Sequence, residues 1–133
     1  MENGKVNEKR VEFENIILAE PDYVKLSALV AGTSLEIARQ LEEELGRASV
    51  VAPEALPRDV VGMNSTVKYE EVGSGKQVTV TLVYPHDANL EENKVSVLAP
   101  VGAALIGLRT GQEIRWAFPG GKEKRLKVLE VSH

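Results

Sequence analysis

The main change in apolar spacing along this 133-residue chain falls at Ala52-Pro53-Glu54-Ala55-Leu56-Pro57. Before that stretch apolar residues recur at the helical period of roughly 3.6; after it they alternate with the strand period of about 2. The proline-punctuated connector is the expected boundary between a helical part and a strand-rich part. The chain reads as α+β.

In the first part, residues 1–15 are polar and read as a flexible N-terminus. Ile16-Ile17-Leu18 is an apolar run of strand length. Pro21 then suits the first turn of a helix, where its missing N–H costs nothing, and Glu20 and Asp22 complement the helix dipole there. Tyr23, Val24, Leu26, Leu29 and Val30 continue at helical spacing until Gly32. Thr33-Ser34-Leu35-Glu36 has the pattern of a capping box, with Thr33 as N-cap and Glu36 reaching back. A second helix follows, with Leu35, Ile37, Ala38, Leu41, Leu45 and Ala48 as its apolar stripe. Residues 16–51 thus predict a short antiparallel helical hairpin, its first helix spanning only ~16 Å. The acidic run Glu42-Glu43-Glu44 lies between Arg39 and Arg47 and reads as a solvated face.

Residues 52–133 predict a mostly antiparallel sheet with one short helix. Val67 and Tyr69, then Val78, Val80 and Leu82, alternate on either side of a Gly73-Ser74-Gly75 turn. A polar loop spans 87–93, and Val95 to Leu98 reads as a third strand. Pro100 starts a short helix of small and aliphatic residues ending near Gly107 or Gly111. Ile114, Trp116 and Phe118 share one face of the next strand, Pro119-Gly120-Gly121-Lys122 supplies a hairpin turn, and the last strand shifts parity between Val128 and Leu129. That shift predicts a β-bulge.

Chemistry is scarce. With no cysteine there are no disulfides, thiolate metal sites or cysteine nucleophiles. The two histidines, His86 and His133, have no partner pattern for general-base or metal work. The glycine turns lack the strand–glycine–helix order that cradles a phosphate, and no Gly-x-Ser-x-Gly elbow accompanies the serines. A net charge of -4 argues against a bare nucleic-acid backbone as partner. The first five residues carry no apolar signal region, so a cytoplasmic location is expected. No catalytic, cofactor-binding or metal-ligating residue is assigned; the expectation is a docking module rather than an enzyme.

Four segments, in order, resemble one family. Pro57-Arg58-Asp59-Val60-Val61-Gly62-Met63-Asn64-Ser65 is similar to the entry into the C-terminal domain of Gre-type transcription factors. Thr81-Leu82-Val83-Tyr84-Pro85, then Ser96-Val97-Leu98-Ala99-Pro100 with the glycine-spaced helix behind it, and Pro119-Gly120-Gly121 continue the match. The Met63-Asn64-Ser65 variant resembles the nucleoside-diphosphate-kinase-regulator branch of that family. The resemblance implies an FKBP-like C-terminal domain behind the hairpin, and docking at the rim of the secondary channel of bacterial RNA polymerase. In Gre factors, acids at the hairpin tip help hold a catalytic magnesium, for which carboxylates supply hard oxygen ligands. The tip here is Ala31-Gly32-Thr33-Ser34, without an acid, so the expectation is polymerase binding in competition with Gre factors and without transcript cleavage. Asp59, Asn64, Ser65, Ser96 and Pro100 are the candidate polymerase contacts, chosen by motif and expected loop-edge exposure. An isomerase pocket lined by Trp116, Phe118, Tyr69 and Tyr84 is the alternative that the FKBP-like fold implies, and direct control of nucleotide metabolism is a third reading.

Overall fold

A computed structural model describes residues 16–133; the expected flexible segment, residues 1–15, lies outside the described residues. Strand β1 (Ile17–Ala19) runs straight into helix α1 (Glu20–Ala31), and helix α2 (Glu36–Gly46) leads into β2 (Ser49–Val51). β1 and β2 pair in parallel, Leu18 opposite Val50. Parallel neighbours need a crossover between them, and the helical hairpin is that crossover. The hairpin's base is thereby closed by a two-stranded sheet, of which β2 is a strand beyond those the alternation indicates.

The helices form for the local reasons expected, with corrections at their ends. Pro21 sits in the first turn of α1. Leu26 and Val30 of α1 and Ala38, Leu41 and Leu45 of α2 are buried, whereas Val24 and Leu35 are exposed. The capping box does not form. Leu35, not Thr33, is the N-cap of α2, with no side-chain cap, and the Thr33 hydroxyl only accepts from the Leu35 N–H at 3.3 Å. Arg39 closes the interhelical loop instead, its guanidinium donating to the carbonyls of Val30 at 2.9 Å and Thr33 at 3.1 Å and to Glu42 at 3.0 Å. Arg39 pairs with Glu42 and Arg47 with Glu44; Glu42 and Glu43 face solvent as expected, whereas Glu44 is half-buried.

Five strands make the second sheet: β3 (Thr66–Glu71), β4 (Lys76–Val83), β5 (Lys94–Ser96), β6 (Glu113–Phe118) and β7 (Lys122–Ser132). Their order is β5-β4-β3-β7-β6, antiparallel except for the short parallel pair β4/β5. The parity shift in β7 is a bulge: Lys68 faces Glu130 but Tyr69 faces Val128, leaving Leu129 unopposed. Helix α3 (Pro100–Leu105) begins at its proline and lies within contact of β5, β6 and α2.

Apolar side chains of hairpin and sheet, among them Leu26, Leu41, Leu82, Leu105, Leu126 and Trp116, belong to one hydrophobic cluster. Two glycines allow close approaches, Gly107 between the start of the hairpin and the body and Gly102 between α3 and the end of β5. At Gly107, which has φ +81°, an added Cβ would lie 2.4 Å from the Ile16 Cβ, and its carbonyl accepts from the Ile17 N–H at 3.1 Å. At Gly102 an added Cβ would lie 2.2 Å from the Ser96 carbonyl oxygen.

Candidate docking surface

The segment from Pro57 to Ser65 is held to the body by its own backbone. The Val61 N–H donates to the Leu108 carbonyl at 2.8 Å, and the Gly107 N–H donates back to Val61 at 2.8 Å. Val60 and Val61 are fully buried, which anchors the segment in the core. Asp59 is thereby set beside Arg109, whose Nε and Nη2 reach its two carboxylate oxygens at 3.3 and 3.1 Å. Its partner is therefore within the chain, so the carboxylate expected at the loop edge is already paired.

Asn64 and Ser65 are neighbours with opposite fates. Asn64 has φ +70°, a left-handed turn that asparagine tolerates, and its side chain faces solvent while its N–H donates to the Leu82 carbonyl at 2.6 Å. Ser65 is 0% exposed, so the loop-edge exposure expected of it is corrected. Its hydroxyl oxygen accepts from the Gly62 N–H at 2.9 Å and lies 3.0 Å from Nδ1 of His133. The other ring nitrogen of His133 is 3.1 Å from the Arg58 carbonyl. With Nε2 carrying the proton, every donor in this chain meets an acceptor: Gly62 to Ser65, Ser65 to His133, His133 to Arg58. His133 thus has partners that no local pattern indicated, because they lie 68 and 75 positions away.

Ser96 and Pro100 form a tight corner between β5 and α3. The Ser96 hydroxyl accepts from the Leu98 N–H at 2.9 Å and its carbonyl from the Ala99 N–H at 2.9 Å. Val97 is fully buried, while Leu98, Ala99 and Pro100 are half-buried. Asn64 is bonded to Leu82, and Val83 is paired with Ser96, so Asn64 and the Ser96–Pro100 corner flank the end of β4. The fold brings those together; Asp59 is turned instead toward Arg109.

At the same end of β4, α1 touches the sheet body. An Asp22 carboxylate oxygen accepts from the Met63 N–H at 3.3 Å, and Lys25 Nζ lies 6.0 Å from the centre of the Tyr84 ring. The Tyr84 hydroxyl is buried without a hydrogen-bond partner. Burial, and secondarily the charge of Asp22, push its pKa up to about 12. Of the aromatics weighed as an isomerase lining, Trp116 and Tyr69 are each 6% exposed and closed into the core. Among the described residues no three His, Asp or Glu side chains converge as a metal site, and no helix is long and apolar enough to cross a membrane.

The model of the C-terminal part of the transcription elongation factors GreA/GreB matches residues 56–133. A regulator of nucleoside diphosphate kinase from Escherichia coli (strain K12) is 41% identical over 128 residues, covering 96% of this chain and 88% of the relative. Transcription elongation factor GreA of Syntrophus aciditrophicus is 40% identical over 93 residues, which is 57% of that longer protein. Among solved structures, a prokaryotic GreA/GreB elongation factor from Nitrosomonas europaea superposes with a TM-score of 0.74 at 43% identity, covering 90% of this chain and 98% of that one. The motif order, the fold and these likenesses agree: the chain belongs to the GreA/GreB family of transcription elongation factors.

Proposed function

We propose that the protein is a transcription regulator that docks on bacterial RNA polymerase at the secondary-channel rim and competes there with Gre-type cleavage factors without cleaving RNA itself. The single observation that carries this reading is the hairpin tip. On a chain of this family, the residues between the helices, Gly32 to Leu35, supply no carboxylate. Glu36 is the nearest acid, exposed in the first turn of α2 and not engaged as a cap. One carboxylate offers a magnesium ion too few hard ligands to replace an acidic tip. The hairpin is also short: α1 has 12 residues, ~18 Å at the helical rise.

In this reading residues 16–51 form an arm and residues 52–133 an FKBP-like docking body in the cytoplasm, with Asn64 and the Ser96–Pro100 corner on the gripping side. Asp59 belongs to the grip only if the polymerase displaces Arg109. An effect on nucleotide metabolism, which the name of the Escherichia coli relative denotes, follows indirectly through transcription. The enclosed Trp116 and Tyr69 weigh against the isomerase reading. The test is a backtracked elongation complex with purified polymerase. The protein is expected to suppress cleavage by an added Gre factor in proportion to its occupancy and to release no 3′ fragments. Accelerated fragment release, abolished by Glu36→Ala, would overturn the non-catalytic assignment; failure to compete would overturn the docking.

A further inference from the structure

Among the described residues the large apolar side chain most exposed to water is Leu90, at 83%. A lone exposed leucine is ordinary; what sets this one apart is how its backbone is held. Asn89 and Lys94 exchange backbone hydrogen bonds, 2.9 Å in each direction. The Asn89 side chain accepts from the Glu91 N–H at 3.0 Å, and the N–H groups of Glu92 and Asn93 donate back to Asn89 and Leu90 at 3.1 Å. Asn93 closes the loop in a left-handed conformation, φ +59°, and Lys94 pairs with Glu92 at 3.0 Å. The N–H groups of Asn89, Glu91, Glu92, Asn93 and Lys94 all bond within the loop, and the result is a preorganised knob with an apolar tip.

The surroundings indicate what the knob fits. Asp87, Glu91 and Glu92 are exposed within three residues of Leu90 in the chain, and Lys94 offsets one of them through its pair with Glu92, so the loop keeps a net negative charge. Such a loop repels phosphate and favours a protein surface bearing Lys and Arg. Directly beyond Lys94, β5 leads into the Ser96–Pro100 corner, so the knob is continuous with the gripping side.

We propose that the 89–94 loop is the apolar anchor of the docking surface: Leu90 enters a hydrophobic notch on the polymerase whose rim is basic, and Asp87, Glu91 and Glu92 meet that rim. The inference rests on the polymerase-docking reading and deepens it. Preorganisation matters here because ordering a mobile loop at an interface subtracts from affinity, and this loop is ordered beforehand.

The experiment measures binding of the full chain to purified RNA polymerase at several salt concentrations, for wild type, Leu90→Ala and Glu91→Lys, with urea midpoints for each. Leu90→Ala is expected to weaken binding by about tenfold or more, chiefly through faster dissociation, with an unchanged midpoint because the side chain is already in water. Glu91→Lys is expected to slow association and flatten its salt dependence. Wild type that binds while Leu90→Ala binds equally well refutes the anchor and leaves the docking reading intact. Wild type that does not bind removes both. Self-association of wild type that Leu90→Ala abolishes, with polymerase binding unaffected, makes the occupant a second copy and also overturns the proposal.

Discussion

Gly102→Ala sets two effects of known sign against each other. Gly102 is the third residue of α3, and helix propensity alone favours alanine over glycine by about 1 kcal/mol. The site has no room for it. The added Cβ would stand 2.2 Å from the Ser96 carbonyl oxygen and 3.0 Å from Leu82 Cδ1, whereas ordinary contact begins at 3.4 Å. The first obstacle is backbone, and it cannot swing aside as the end of a long side chain can. Ser96 is fixed by its pairing with Val83 and by the Ala99 N–H, so α3 must lift by more than an ångström or β5 must move. Overpacking of this kind costs ~3 kcal/mol, at or above the upper end of its usual range. The net expectation is a loss of about 2 kcal/mol, equivalent to roughly 8 °C in Tm for a chain of this size. Urea unfolding measures it as a lower midpoint at unchanged slope. Gly46→Ala is the control: Gly46 closes α2 with nothing within 4 Å of an added Cβ, so that variant is expected to gain up to ~1 kcal/mol. If Gly102→Ala is as stable as wild type, or more so, the close approach of α3 to the Ser96 corner is refuted.

Ser65→Ala leaves the buried Gly62 N–H without its acceptor and is expected to cost about 1–3 kcal/mol in chemical unfolding; a neutral result would show that the Ser65–His133 chain is not formed. Asp59→Ala removes a surface ion pair worth at most ~1 kcal/mol, so its unfolding midpoint should barely move, and any large loss of polymerase retention in that variant reports a contact rather than a folding defect. Tyr84 predicts an alkaline effect. As pH rises from 10 to about 12 the unfolded chain gives up the phenolic proton while the folded protein keeps it, so stability falls across that window. Tyr84→Phe should lessen that fall and, because the hydroxyl has no partner, leave stability at neutral pH unchanged or slightly higher; an unchanged alkaline slope would refute the assignment.

What could be read from the residues is what short-range physics dictates. Proline and acids at the start of α1, alternation in β3 and β4, glycine turns at 73–75 and 120–121, and the parity shift at Leu129 depend on a few neighbouring residues, and each is found in place. The ordered motifs likewise placed the chain in its family. The errors lie where a local signal competes with a distant partner. Thr33 and Glu36 have the spacing of a capping box, but Arg39 satisfies the loop carbonyls and the box stays unformed. Val24 and Leu35 fit their stripes by spacing and face solvent all the same.

The candidate surface divides in the same way. The order of residues is enough for the family, the α+β composition, the acid-free tip and the helix start at Pro100. Tertiary structure alone decided that Ser65 is sealed beneath His133, that Asp59 is held by Arg109, that β2 closes the hairpin's base, and that Leu90 stands in water on a braced loop. The reason is physical: backbone preference is settled within about one turn of chain, whereas burial and pairing depend on which distant segments the packed core brings together.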